Sequence, residues 1–155
     1  MSKDRNPGRE ASLCIVTATR KASRRLTQLY DDALEPCGLR STQFAILAEV
    51  NRRSLEPPTM RKLADALVMD RSALGHNLRP LERDELIALE ESEEDRRRRH
   101  VVMTPRGKAK FKQAKRLWQT AQDRFNEVFG QSQAADLRAT LLAIAYDERL
   151  AKLRN

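Results

Sequence analysis

LADALVMDRSALGHNLRPLERDELIALEESEEDRRRRHVVMTPRG (63–107) is the stretch from which the fold can be read. Its first part has a helical period and its last part does not. Leu63, Ala64 and Leu67 form the inward side of a short helix that Thr59 can cap, and Asp70 opens another whose apolar stripe is Leu74, Leu78 and Leu81. Then the period changes. Leu86 to Leu89 and Val101 to Met103 are short apolar runs flanking a charged segment, 90–100, which reads as a β-hairpin with a long solvated tip. Thr104-Pro105 starts the next helix, with a cap and then proline at the position where a missing N–H costs nothing. Two helices joined by a tight turn and followed by a hairpin make a winged helix-turn-helix.

Upstream, residues 12–35 read as a long amphipathic helix. Ala22, Leu26, Leu29 and Ala33 keep a spacing of three to four, and Val16, Tyr30 and Leu34 widen the stripe. Pro36 and Gly38 end it. Ser41 is the expected N-cap of a second helix with Phe44, Leu47 and Val50 inward, and Pro57-Pro58 closes that pattern. Downstream, the fifth helix runs to about Phe129, with Ala114, Leu117, Trp118, Ala121, Phe125 and Val128 on one side, and Gly130 stops it. A sixth, about 133–152, lines up Leu137, Leu141, Ile144 and Ala145. The winged module is too small to cover these long flanking helices, so the expected cover is a second copy of the chain. The fold class is therefore mostly α with a small β-hairpin wing. Residues 37–104 form a DNA-binding unit, and 1–36 with 105–155 form a helical dimerisation region.

Charge sharpens this picture. The chain has 155 residues, 30 Lys+Arg against 22 Asp+Glu, and a net charge of +8, which favours a polyanionic partner. The surplus is at the ends: residues 1–54 carry a net +4 and 105–155 a net +6, whereas 59–104 carry −1. Within that balanced middle the charges are sorted, with Glu90, Glu91, Glu93, Glu94 and Asp95 followed by Arg96, Arg97, Arg98, Arg99 and His100. No apolar run approaches the ~20 residues of a membrane span, and the charged N-terminal stretch has no secretory apolar region, so a cytoplasmic location is expected. Two cysteines make no disulfide scaffold.

On a helical wheel, turning Leu74, Leu78 and Leu81 to the core leaves Ser72, His76, Arg79 and Arg83 on the opposite face. A recognition helix enters the major groove through its N-terminal half, which puts Ser72, Gly75 and His76 at base edges and Arg79 at a guanine edge or a phosphate. Any surface helix turns polar residues outward, so the wing has to carry the distinction. Arginines at a hairpin tip meet the concentrated negative potential of a narrow minor groove. Alone they would be a solvated charge run, some paired with Glu94 or Asp95. Thr59, Arg61, Lys62 and Arg71 are further candidates for backbone phosphates.

These residues also carry a resemblance. GLRSTQFAIL (38–47), LADALVMDRSALGHNLRPLERDELI (63–87) and EEDRRRRHVVMTPRG (93–107), in that order, resemble the MarR family of transcriptional regulators, and RLTQLYDDALEPCGL (25–39) and AKRLWQTAQDRF (114–125) look like one branch of it. The resemblance spans most of the chain after about the first ten residues. It implies a homodimeric, ligand-responsive regulator, usually a repressor, on a palindromic operator, with Arg97 as the minor-groove arginine and Asp95 orienting the wing. The sequence departs from the pattern at four places. Met103 is the hydrophobic residue before Thr104, and Gly75-His76 stand where the branch usually carries Thr and Arg. Glu85 stands where a Gly often closes the reading helix, so the turn there is expected to differ. Pro80 inside that helix removes an N–H and implies a kink.

Other chemistry finds less support. One branch of the family senses organic hydroperoxides through a cysteine near the start of the first helix, and Cys14 lies about two residues from that place. The tyrosine expected after it is replaced by Val16-Thr17-Ala18. A reactive thiol needs cationic or dipolar support, so the favoured reading of Cys14 and Cys37 is as small buried apolar residues. Two His and two Cys at 14, 37, 76 and 100 show no metal spacing, no cofactor is implied, and no catalytic motif is present. A small aromatic effector would sit between the long helices and the reading unit, with Tyr30, Phe44 and Trp118 as candidate walls, although core packing is the commoner role for each. The expected function is a sequence-specific DNA-binding regulator rather than an enzyme or membrane protein. The alternatives are a Cys14 redox regulator and a winged module that binds protein.

Overall fold

The structure is a computed structural model and describes residues 14–151. Residues 12 and 13 of the expected first helix and residue 152 of the expected sixth lie outside that range. The chain runs through α1 (Ile15–Leu34), a short 3-10 turn (Glu35–Cys37), α2 (Ser41–Arg52), α3 (Met60–Leu67) and α4 (Arg71–Arg83). It continues through β1 (Ile87–Glu91), β2 (Arg99–Met103), α5 (Pro105–Phe129), α6 (Gln131–Ala145) and a second 3-10 turn (Glu148–Leu150). Among the described residues no helix is long and apolar enough to cross a membrane.

The 3.6-residue period decides which faces are buried. Leu74, Leu78 and Leu81 of α4, Leu63 of α3 and Ile46 and Leu47 of α2 meet Ile87 and Val101 of the hairpin in one core, and Leu34 and Ala114 join it from α1 and α5. Each fully buried Leu or Ile there contributes about 1.5–3 kcal/mol of transfer free energy. Thr59 Oγ1 accepts from Lys62 N–H at 3.2 Å, Asp70 Oδ1 from Ala73 N–H at 2.7 Å, and Thr104 Oγ1 from Gly107 N–H at 2.9 Å. Three of the four expected caps are thus in place. The fourth is not. The residue before α2 is Arg40, and the Ser41 N–H is satisfied by Asp31 Oδ1 of α1 at 2.7 Å, so a long-range carboxylate caps the helix. Gln43 Oε1 takes the Arg40 N–H at 2.8 Å.

The hairpin is longer than its apolar runs. Glu90 pairs with His100 and Glu91 with Arg99 across the two strands, so Arg99 belongs to β2 and not to the tip. The opposite charges of Glu91 and Arg99, facing each other, stabilise the strand pair modestly, which helps β1 extend into the acidic block. The segment 57–59 adds a fragment of a third strand. Pro58 O accepts Val101 N–H at 2.9 Å, Pro57 O lies 2.9 Å from His100 Nδ1, and Thr59 bridges to His100. These prolines, which follow α2 after an intervening turn, serve as edge acceptors, a role that needs no N–H.

Two further expectations are corrected. The sixth helix ends at Ala145, because the chain turns at Tyr146 and Asp147 caps the following 3-10 turn through Arg149 N–H at 3.0 Å. The turn after α4 keeps the left-handed geometry without a glycine, with Glu85 at φ 57°. Helix α4 runs unbroken past Pro80.

Candidate nucleic-acid interface and cleft

Helix α4 turns Ser72, His76, Arg79 and Arg83 to solvent, with Arg71 exposed at its first position and Gly75 half-exposed between them. A Cβ built on Gly75 meets nothing within 4 Å, so nothing in the described chain requires glycine there. Arg83 Nε donates to the neighbouring Asp84 Oδ1 at 2.9 Å in an exposed pair. That ion pair holds the Asp84 carboxyl below its ordinary range. Among the described residues, Arg71 and Arg79 have no carboxylate within ion-pair distance. Thr59, expected at a phosphate, uses its hydroxyl on the N-terminus of α3.

The tip of the wing is Ser92 to Arg98, closed by Ser92 N–H to Arg98 O at 2.9 Å and Arg98 N–H to Asp95 O at 2.8 Å. Asp95 organises it. One carboxylate oxygen accepts Arg97 N–H at 3.0 Å and the other lies 3.6 Å from Arg98 Nε. Among the described residues, Arg96 and Arg97 have no carboxylate partner, and all four arginines 96–99 are exposed. The expected ion pairing thus falls on Asp95 and Arg98, while Glu94 is paired with none of the described cations.

Tyr30, Phe44 and Trp118 line one cleft of about 390 Å³ together with Ser41, Ala45, Ala48, Glu49 and Arg52. The Phe44 ring stacks on Trp118 with centroids 5.8 Å apart and on Phe111 at 5.4 Å, while Tyr30 is tilted against Trp118 at 6.4 Å. The Tyr30 hydroxyl donates to Gln122 Oε1 at 2.7 Å, and burial raises its pKa against the opposing effect of the Arg138 cation. At the polar end Glu49 is clasped by Arg52 Nη2 at 2.6 Å and Arg53 Nε at 2.6 Å. Of these three groups Glu49 and Arg52 line the cleft, where their charges offset each other.

The cysteines differ from expectation in one case. Cys37 is buried, its thiol donating to Leu34 O at 3.1 Å, but Cys14 is exposed at the start of α1. The Thr17 N–H and hydroxyl, and then the Val16 N–H, hold the Cys14 thiol below its ordinary pKa. The Cys14 thiol thus lies at the surface of this chain, beside the N-terminus of α1. Among the described residues no group of three or more His, Cys, Asp or Glu is arranged to hold a metal ion.

Comparison with known proteins gives this arrangement a family. The MarR family model matches residues 38–98. The transcriptional regulator MosR of M. tuberculosis, in complex with DNA, superimposes with a TM-score of 0.79 at 30% identity over 90% of this chain and 99% of that one. The chain belongs to the MarR family. A second MarR-fold neighbour is the transcriptional repressor CouR from Rhodococcus jostii RHA1 bound to a 23-mer DNA duplex, with a TM-score of 0.77 and 26% identity over 85% of this chain and 92% of that one. A cysteine-to-serine variant of E. coli MarR with operator DNA shares the fold at a TM-score of 0.74 and 20% identity, over 83% and 91% of the two chains. A comparison with curated proteins returns no match.

Several residues that shape this MarR-family chain escaped the sequence reading. Gly107 is required sterically, since a Cβ there would lie 1.9 Å from Leu86 O. Lys110 Nζ donates to Cys37 O at 3.1 Å, tying α5 to the turn after α1. Glu49 and Arg52 belong to no motif in the sequence, and only the packing of α1, α2 and α5 brings them to the cleft. A glycine in the first turn of a helix, two residues after the Thr104-Pro105 start, was the one available signal.

Proposed function

We propose that the chain is a homodimeric, sequence-specific DNA-binding repressor that responds to a small aromatic effector and acts on a palindromic operator. Residues 37–104 are the reading unit, and 1–36 with 105–155 form the dimer. The observation that carries the reading is the pairing of a solvent-facing α4, presenting Ser72, Gly75, His76 and Arg79, with a wing whose Asp95 shapes a tip bearing Arg96 and Arg97, which have no carboxylate partner among the described residues. Ser72 and His76 contact base edges, Arg71 and Arg79 flank them, Arg97 enters the minor groove, and Arg96 and Arg98 neutralise nearby phosphates. Thr59, Arg83 and Arg99 play lesser roles because each is engaged elsewhere.

Apolar surface supports the dimer. Exposure runs from 39% at Leu141 to 74% at Ile15 across Val16, Val128, Phe129, Leu137, Leu142 and Ile144, all on α1, α5 and α6. A second copy is the natural cover for such faces in a two-fold assembly. The effector reading rests on the cleft, where three aromatic side chains beside the Glu49–Arg52 pair suit a small aromatic molecule carrying a polar group.

Selection of bound duplexes from a random pool tests the reading. The expected outcome is a palindromic consensus enriched with the protein alone and depleted when an aromatic acid is added. Trp118, the single tryptophan, gives an independent fluorescence readout of cleft occupancy. Equal binding to the chain's own upstream DNA and to random duplex would remove the regulator reading. A second reading, a peroxide-responsive regulator, is favoured by the exposure and lowered pKa of Cys14. A hydroperoxide would transfer one oxygen atom to the thiolate, giving a sulfenic acid and releasing the alcohol. Operator binding that peroxide leaves unchanged, in wild type and in Cys14→Ser alike, would exclude it.

A further inference from the structure

The residue after α6 reaches across the molecule. The Tyr146 hydroxyl donates to Ala66 O of α3 at 2.6 Å, joining residues 80 apart in sequence. Ala66 lies in the last turn of α3, where carbonyls have no intrahelical partner. The neighbouring carbonyls find theirs within the turn, since Val68 N–H bonds Asp65 O at 3.2 Å and Met69 N–H bonds Ala64 O at 2.9 Å. Ala66 O is instead completed by a side chain from the far end of the chain.

The Tyr146 ring is 57% exposed, so burial alone does not fix it there. The 3-10 turn behind Tyr146 is firmly closed: Asp147 accepts Arg149 N–H at 3.0 Å and forms an ion pair with the Arg149 guanidinium at 2.6 Å. The Arg52 guanidinium, part of the cleft wall, is near enough to the phenol to interact with it electrostatically. At one point, therefore, the end of α6, the end of α3 and the rim of the cleft meet. Only Val68, Met69 and Asp70 separate α3 from the reading helix α4.

We propose that the Tyr146 hydroxyl is a strap: its bond to Ala66 O fixes the angle at which α3 and α4 hang from α5 and α6. A two-fold reader needs its two recognition helices at a set separation, and the strap restricts that separation from within each protomer. It is a contact that can be made or broken without disturbing the core, because neither end is packed in it. The consequence for DNA rests on the proposed regulator function, whereas the strap itself does not.

The full-length protein with Tyr146→Phe, which keeps the ring and removes the hydroxyl, tests the idea by amide hydrogen exchange. Exchange at Val68 and Met69 should rise about fivefold, with the core amides of α2 unchanged, and affinity for the selected operator should fall about fivefold. Rates at Val68 and Met69 within twofold of wild type would overturn the strap. Faster exchange with unchanged operator affinity would overturn its role in setting the reading helix. Tyr146→Ala should match Tyr146→Phe in exchange, and a loss seen only with alanine would mean that ring packing, not the hydroxyl, holds α3. If wild type shows no operator preference, the regulator reading fails, and the exchange measurement still decides the strap.

Discussion

The Asp95 carboxylate accepts the backbone N–H of Arg97 at 3.0 Å, so an acidic side chain sets the direction of the basic residue that tops the wing. The same carboxylate steadies Arg98 at 3.6 Å. If the wing meets DNA as proposed, a carboxylate there would weaken binding through charge alone, so its presence calls for a geometric benefit. Arg97→Ala should weaken operator binding by about 1–3 kcal/mol, the worth of a placed arginine. Asp95→Ala should also weaken it, against the sign of its charge, and Asp95→Asn, which keeps an acceptor, should restore most of the loss. Arg96→Ala should lower the slope of log affinity against log salt by about 1 per protomer without changing sequence preference. Fluorescence anisotropy at several salt concentrations measures all four. Tighter binding by Asp95→Ala would show that the carboxylate is only a repulsive neighbour.

Gly75 offers a way to find the DNA without a structure of the complex. Glycine in a helix interior costs about 1 kcal/mol relative to alanine. Nothing lies within 4 Å of a Cβ built there, so Gly75→Ala should stabilise the isolated protein by about that amount. In the complex the added methyl would stand between His76 and Ser72 against the groove, and operator affinity should fall about tenfold. His76→Ala should instead alter which bases are selected. A Gly75→Ala variant that is both more stable and equally tight on DNA would move the interface away from this face of α4.

Most of the fold was legible because the residues obey local rules. Leu74, Leu78 and Leu81 sit on one helical face and are all buried, and the change of period after Leu86 marks the hairpin. What escaped depends on partners far away in sequence. The N-terminus of α2 is capped by Asp31, which no local motif announces. Strand β1 extends over Glu90 and Glu91 because His100 and Arg99 face them. The end of α6 carries no Gly or Pro, so its apolar pattern runs on past the true stop at Ala145. The aromatic cleft was legible as three residues, while its charged end came only from the packing of α2.

Two side chains occupy backbone conformations that favour glycine. Val68, in the turn between α3 and α4, has φ 51°, and Glu85, after α4, has φ 57°. Left-handed geometry costs an L-residue about 1–2 kcal/mol, and a β-branched side chain is the least suited to it. Val68→Gly and Glu85→Gly should each raise stability by about 1 kcal/mol in denaturant titrations. The second forfeits only the exposed Glu85–Arg106 pair at 3.7 Å, which is worth little. Gly107→Ala should act in the opposite direction, costing about 3 kcal/mol, because its Cβ would strike the Leu86 carbonyl. A neutral Gly107→Ala would mean that α5 can shift away from the hairpin.

Glu49 should govern part of the acid limb of stability. The Arg52 hydrogen bond is the main cause of its lowered pKa, Arg53 adds to it, and partial burial opposes both. A carboxylate depressed in the folded state contributes stability that is complete above its ordinary value of about 4.3 and is lost as pH falls through the folded value. Glu49→Gln removes the charge while keeping the shape. At pH ~7 it should be less stable than wild type by about 1 kcal/mol, the net worth of hydrogen bonds to a charged group only 15% exposed. As pH falls through the folded value the two proteins should converge, because wild-type Glu49 then takes up a proton as well. Asp84 and Asp147, also held low by neighbouring arginines, titrate alike in both proteins and cancel from the difference. Urea midpoints followed from pH ~7 down the acid limb decide the matter, and a gap that never narrows before both proteins unfold would assign the stabilisation to packing of α2 rather than to the Glu49 charge.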